Sequence, residues 1–233
     1  MLNRSENKIN CIFIRHGCTV SNREHRYLGR TDEPLDEAGV FELKNALNNG
    51  VYKALEENSL KEQIIITSPM RRCKQTAEII LPPSQQNKIH TVKEFAEMDF
   101  GEWELKNYKE LSTDIRFRDS YQAWIDSGGT LAFPGGESRE AFIARCVDGM
   151  ELVMEQIRQQ LAYRACPKCR ETEDNGMIQE PLPVAAVVHG GTIMALLSHY
   201  CGGDYFSYQV KNAEGYHLRL SLQENKMELK EKV

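Results

Sequence analysis

No stretch of this 233-residue chain reads as a membrane span. From Pro181 to Gly203 there is no lysine, arginine, aspartate or glutamate, and a spanning helix needs about 20 mostly apolar residues. Two prolines, two glycine pairs and two histidines interrupt that stretch, so it reads as a buried strand, a glycine turn and a packed helix. An excess of positive charge is also missing. Lys plus Arg number 29 against 34 Asp plus Glu, a net charge of −5. That balance argues against coating nucleic acid or anionic lipid, while leaving room for a local basic pocket. There is no internal repeat and no low-complexity tract. The apolar run Ile9 to Ile14 is too short for a secretory signal. Seven scattered cysteines, Cys11, Cys18, Cys73, Cys146, Cys166, Cys169 and Cys201, make an odd set. They imply free thiols and a reducing, cytoplasmic setting.

What is present suits a globular chain. The hydrophobic share is 41% and the charged share 27%, enough for a core and too apolar for disorder. Length implies one domain, 1–233, with room for an insertion. Strands and helices alternate. Ile9 to Ile14, Gln63 to Thr67, Ile89 to Val92, Val184 to Val188 and Gly215 to Leu222 read as strands, the third as an edge. Helices are expected over Asp36 to Asn48, from Pro69 to about Ile80, over Ser138 to Leu161 and over Gly191 to Tyr200. Ile143, Val147, Met150, Met154, Ile157 and Leu161 share one face of the long helix. The charged tail after Gln223 should fray or form a surface edge. The fold class expected is α/β: three α/β/α layers, a mostly parallel central sheet, right-handed crossovers, and a small helical cap insertion at about 105–134.

Three strands run into turns bearing cationic or imidazole groups: Arg15-His16-Gly17, Ser68-Pro69-Met70-Arg71-Arg72 and His189-Gly190-Gly191-Thr192. Ligands bind outside the carboxyl ends of parallel strands. If these strands are neighbours, two histidines and two or three arginines converge on a pocket suited to a dianionic oxyanion such as phosphate. Glycines let backbone N–H groups approach, and a helix starting at Gly191 adds its positive end. Surrounding positive charge keeps an imidazole neutral and nucleophilic. Acid chemistry would come from the carboxylates of Glu94 to Glu104, with Glu94, Glu97, Asp99, Glu102 and Glu104 all open, since partial burial raises a carboxyl pKa.

The ordered set Arg15-His16-Gly17, Thr19, Asn22, Tyr27 to Asp32, Pro34-Leu35, Ser68 to Arg72 with Thr76-Ala77, Glu97 to Glu104, Pro134 to Ser138 and His189-Gly190-Gly191 resembles the histidine phosphatase superfamily. That superfamily includes phosphoglycerate mutases and α-ribazole phosphatases. The resemblance spans roughly residues 9 to 222. It implies His16 as phosphoryl-accepting nucleophile, Arg15, Arg72 and His189 as a phosphate clamp, and Glu97 as general acid. Asn22, Thr19, Leu28, Gly29 and Gly190 are implied on the phosphate or substrate side. Many such phosphatases have glutamine at the position of Leu28 and glycine at that of Leu105, so substrate contacts differ. No cofactor and no metal are implied.

The reading is a phosphomonoester hydrolase working through a phosphohistidine on a small phosphorylated metabolite. The alternatives are a cofactor-dependent phosphoglycerate mutase and an inactive phosphate-binding module. Neither nucleic acid nor membrane is expected as a partner; a homodimer stays open. Tyr108, Phe117, Tyr121 and Trp124 either shape the substrate side or pack the cap. Arg71 and Cys18 read as structural residues. Cys166-Pro167-Lys168-Cys169, in a loop at about 162–183, is half of a zinc site, completed by Cys201, His199 or a second subunit if metal binds at all; a metal-free loop is the stronger reading.

Overall fold

The computed structural model describes residues 8–52, 64–81, 83–165 and 184–233. Its centre is a six-stranded sheet: β1 (Lys8–Arg15), β2 (Ile64–Thr67), β3 (Ile89–Thr91), β4 (Val184–Val188), β5 (Gly215–Ser221) and β6 (Lys226–Lys232), in the order β3-β2-β4-β1-β5-β6. The first four run parallel, while β5 and β6 are antiparallel additions beyond β1. Neighbouring parallel strands are joined through helices, which leaves apolar side chains on both faces of the sheet. In β1, Ile9, Cys11 and Phe13 join one buried cluster, and Ile12 and Ile14 join the other.

On the Phe13 side lie α7 (Arg139–Ala165) and α8 (Gly190–Tyr200), through Phe142, Met150, Ile193 and Leu196. On the opposite side lie α2 (Glu37–Asn48) and α3 (Arg71–Ile80), through Leu43, Cys73 and Ala77. The three layers are therefore those expected. Shorter helices complete the chain: α1 (Val20–Arg23), α4 (Pro83–Gln86), α5 (Tyr108–Thr113) and α6 (Arg118–Asp126). The last two fill the stretch read as helical from sequence. Asp36 caps α2 by accepting from the Gly39 N–H, as its residue type suggests.

Several boundaries differ from expectation. Helix α3 begins at Arg71, not Pro69, because the turn before it is closed by side chains: the Met70 N–H donates to Ser68 Oγ at 3.3 Å and the Arg71 N–H to Asp32 Oδ1 at 2.6 Å. Helix α7 continues to Ala165. Its inward stripe is also rotated: Met150, Met154 and Ile157 are buried as expected, joined by Phe142, Cys146 and Val153, while Ile143, Val147 and Leu161 are only partly covered at its border. The charged tail pairs as strand β6, with Met227 its one buried residue. Its lysines and glutamates discourage further pairing at that edge. Among the described residues no helix is long and apolar enough to cross a membrane.

The rotated stripe is testable. Phe142→Ala should cost about 3–5 kcal/mol, and Ile143→Ala distinctly less. Equal shifts in urea midpoint would return the buried face to where the sequence put it.

Candidate active site

Strands β2, β4 and β1 are adjacent, with Thr67 opposite Val187 and Arg15 opposite Val188. The chain therefore leaves all three at one level, and Ser68, His189 and His16 emerge side by side. Backbone bonds from His16 to Val188 (2.9 Å) and from Ser68 to Val187 (3.2 Å) hold that rim. Both histidines are buried, and their rings meet edge to face with centroids 5.1 Å apart.

The state of His16 follows from its contacts. Nδ1 lies 2.7 Å from the Gly17 carbonyl, and a carbonyl oxygen only accepts, so Nδ1 carries the hydrogen and Nε2 keeps a lone pair. Burial pushes the imidazole well below its ordinary pKa, and the Arg72 and Arg15 guanidiniums push further. His189 is lowered in the same way, by burial first and then by Arg72, His16 and Arg15. Gly17 is tied to α3 in turn: its N–H donates to Thr76 Oγ1 at 2.9 Å, and that hydroxyl donates to the Arg72 carbonyl at 2.7 Å.

Arg72 is fully buried. It donates from Nη1 to the Thr31 carbonyl (2.9 Å) and from Nη2 to the Gly29 carbonyl (2.8 Å). Arg15 donates from Nη1 to the Val210 carbonyl at 2.8 Å. In both, the buried Nε–H has no partner among the described residues. Orphaned buried donors cost free energy unless a ligand or water completes them, and two guanidinium donors beside a neutral imidazole suit an oxyanion.

Glu97 separates itself from the other four carboxylates. It is buried, its Oε1 accepts from the Met98 N–H at 2.9 Å, and its Oε2 accepts a long bond from the Gly191 N–H at 3.4 Å. Burial raises its pKa, only partly offset by those N–H groups and by Arg72 and Arg15. A Cβ added at Gly191 would stand 2.3 Å from Glu97 Oε1, so the glycine makes room for the carboxyl group. Asp99 accepts from Gly101 N–H, Glu104 accepts from the N–H groups of Gly29 and Thr31, and Glu94 and Glu102 lie outside this arrangement.

Residues 11–231 match the model of the histidine phosphatase superfamily (branch 1). The chain belongs to that superfamily. An adenosylcobalamin/α-ribazole phosphatase of Escherichia coli is 28% identical over 132 residues, 57% of this chain and 60% of that relative; the match thus spans less than two thirds of the relative's length. A phosphatase of Bacillus subtilis, PhoE, of uncharacterised activity, is 29% identical over 82% of this chain and 77% of its own. A 2,3-bisphosphoglycerate-dependent phosphoglycerate mutase of Nocardia farcinica is 25% identical over 81% and 76%. Among solved structures, a mycobacterial glucosyl-3-phosphoglycerate phosphatase superposes with a TM-score of 0.69 at 23% identity, covering 95% of this chain and 97% of its own. That likeness shows the fold. Superfamily members such as these are phosphatases or mutases.

Within this histidine phosphatase fold the other expected residues have definite places. Thr19 caps α1, its Oγ1 accepting from the Asn22 N–H at 3.3 Å. Gly29 is buried where a Cβ would stand 2.1 Å from the Met98 carbonyl, so its backbone can reach Arg72. Leu28 is buried, and Gly190 packs against the Arg15 side chain. Arg71 is exposed, as the sequence reading favoured. Cys18 is half-buried, and burial pushes its thiol up. Phe117 is buried beneath Lys106 and Arg116, and Tyr121 and Trp124 pack edge-on to Trp103. These three cover the core, while Tyr108 is exposed. Cys166 and Cys169 lie outside the described residues. No cluster of metal-ligating groups occurs among the described residues, His199 and Cys201 included.

Sequence reasoning missed three contributors. Ser68 Oγ lies 2.6 Å from His189 Nε2; a hydroxyl at the end of a β-branched strand was its signal. Arg145 donates to the carbonyls of Glu94 (2.5 Å) and Ala96 (2.9 Å) and pairs through two nitrogens with Glu137 at 2.8 Å each, gripping the segment that carries Glu97. An arginine next to the inward positions of α7 could have revealed it. Asn212 bonds the His16 turn from a loop with no sequence signal.

The lowered histidine pKa values set a pH limb of stability. Below about 6.5, the ordinary histidine value, the unfolded chain takes up protons that the native rings resist. Stability is therefore full above that pH and falls as pH drops, by up to about 1.4 kcal/mol per pH unit for each histidine. Glu97, raised above 4.5, acts with the opposite sign, costing stability as pH climbs through its native pKa, so a variant comparison isolates the histidine contribution. Urea unfolding between pH 7 and 5 should show a shallower acid loss in His16→Asn than in the wild type; parallel profiles would contradict the shift.

Proposed function

We propose that this protein is a phosphomonoester hydrolase that acts on a small phosphorylated metabolite through a phosphohistidine at His16. The observation that carries the reading is the neutral imidazole of His16, its Nδ1–H held on the Gly17 carbonyl, between Arg15 and Arg72, whose Nε–H groups are unpartnered among the described residues. In the first step the Nε2 lone pair attacks phosphorus and the phosphorus–oxygen bond to the leaving group breaks. Glu97, whose pKa burial raises, gives its proton to the departing alkoxide. In the second step a water attacks the phosphohistidine, Glu97 takes the water's proton, and the phosphorus–nitrogen bond breaks to restore neutral His16. Arg15, Arg72 and His189 stabilise charge on the non-bridging oxygens throughout, which is most of what phosphoryl transfer asks of a protein. No step calls on a metal ion or cofactor.

The α-ribazole phosphatase and PhoE relatives support hydrolysis of an organic phosphomonoester. Mutase relatives covering four fifths of the chain keep phosphoryl return to substrate as a second reading. The complete arrangement of His16, Arg72, Glu97 and His189 argues against a silent binding module, since binding an anion needs no buried carboxyl group beside it.

A panel of phosphomonoesters assayed at pH 5 to 7 with EDTA should release inorganic phosphate, and His16→Ala should lower kcat by about 1,000-fold or more. Activity that survives the substitution removes His16 as nucleophile, and activity abolished by chelator removes the metal-free scheme. Isomerisation of phosphoglycerate primed by 2,3-bisphosphoglycerate, with little phosphate release, would favour the mutase.

A further inference from the structure

Asn212 lies in the loop before β5 and reaches back across the sheet rim. Its Nδ2 stands 3.1 Å from the His16 carbonyl, 3.3 Å from the Gly17 carbonyl and 3.0 Å from Asn22 Oδ1. Which end of each amide faces which partner is decided by chemistry alone. Two backbone carbonyls can only accept, so the NH2 end of Asn212 must face them. Its second hydrogen then points at Asn22, which must answer with oxygen. Asn22 is left with its own NH2 turned away, and among the described residues that group donates to nothing.

We propose that Asn212 is a positioning residue: it locks the Asn22 amide so that a donor, not an acceptor, faces the bound phosphate, and it steadies the carbonyl that fixes the His16 tautomer. This rests on the phosphate-binding reading given above and on the place on the phosphate side that the family resemblance implies for Asn22. The Gly17 carbonyl receives both His16 Nδ1–H and the Asn212 amide, so its two lone pairs are used and an alternative tautomer has no place there. The loop itself is pinned independently of Asn212. The Ala213 N–H donates to the Arg15 and His16 carbonyls, Tyr52 Oη donates to the Ala213 carbonyl at 2.8 Å, and the Arg15 N–H donates to the Glu214 carbonyl at 2.9 Å. Ala213 accepts a φ of 66° to make these bonds, a conformation that costs a non-glycine residue and persists only where the surroundings impose it. A turn held so firmly does not need the third contact, from Asn212 to Asn22. An unoriented Asn22 would offer a phosphate its carbonyl oxygen half the time, with repulsion in place of a bond.

The test reads inorganic phosphate binding on the intact chain. In the wild type, side-chain amide NMR should show the Asn22 NH2 pair shifting and saturating with phosphate, together with the His16 ring. Asn22→Ala and Asn212→Ala should each weaken phosphate binding by about tenfold, and the double variant should bind within about twofold of Asn22→Ala, since the two act as one unit. Additive losses, or unchanged binding in Asn212→Ala, would overturn the assignment. So would a wild-type titration in which His16 moves and Asn22 does not. If no pocket resonance responds to phosphate, the phosphate reading fails and this inference with it. The wild-type titration does not depend on how well either variant folds.

Discussion

Two imidazoles are buried against two guanidiniums, a combination that opposes protonation of either ring. Water is excluded from His16 and His189, Arg15 and Arg72 stand beside them, and among the described residues no carboxylate pairs with either histidine to restore the charge. The fold has to hold positive groups together that would separate if free to move. It does so by binding each guanidinium to backbone carbonyls, Val210 for Arg15 and Gly29 and Thr31 for Arg72. Among the described residues the Nε–H groups have no partner. What results is a set of fixed donors that suits an anion, the preorganisation that the proposed phosphoryl transfer needs.

The surrounding architecture serves that constraint. Parallel strands in register bring three chain exits to one level, and α3 supplies Arg72 while its Thr76 anchors the His16 turn. Glu97 arrives from a segment with little regular structure, so its position is imposed from outside. Arg145 on α7 grips the backbone on the Glu94 to Ala96 side, and Gly191 at the start of α8 leaves the space the carboxyl group fills. The carboxyl group and the imidazoles are pushed in opposite directions by burial, toward an acid that holds its proton and a base that lacks one. The proposed reaction needs both.

Much of this was legible in the residues. The alternation of short apolar runs with helical periodicity carried the layered fold, and the cationic turns after three of those runs carried the histidines and both arginines. What escaped has physical reasons. The inward face of α7 was placed correctly at Met150, Met154 and Ile157 but not at Ile143, Val147 and Leu161, which lie at its border, because side-chain spacing alone does not say where a neighbouring strand presses. Pro69 looked like a helix start, but Ser68 and Asp32 close a turn there through contacts that no local pattern records. Among five nearby carboxylates, spacing could not choose Glu97; burial beneath α8 does. Ser68, Arg145 and Asn212 contribute through partners up to 196 residues away in sequence, and single residues of common types carry no signal at that range.

The most direct measurement is the protonation state of the His16 ring by nitrogen NMR of the selectively labelled, ligand-free protein. The account predicts a neutral ring with its hydrogen on Nδ1 through the whole range from pH 8 to pH 5. A ring that gains a second proton near pH 6.5, or a neutral ring carrying its hydrogen on Nε2, would contradict it.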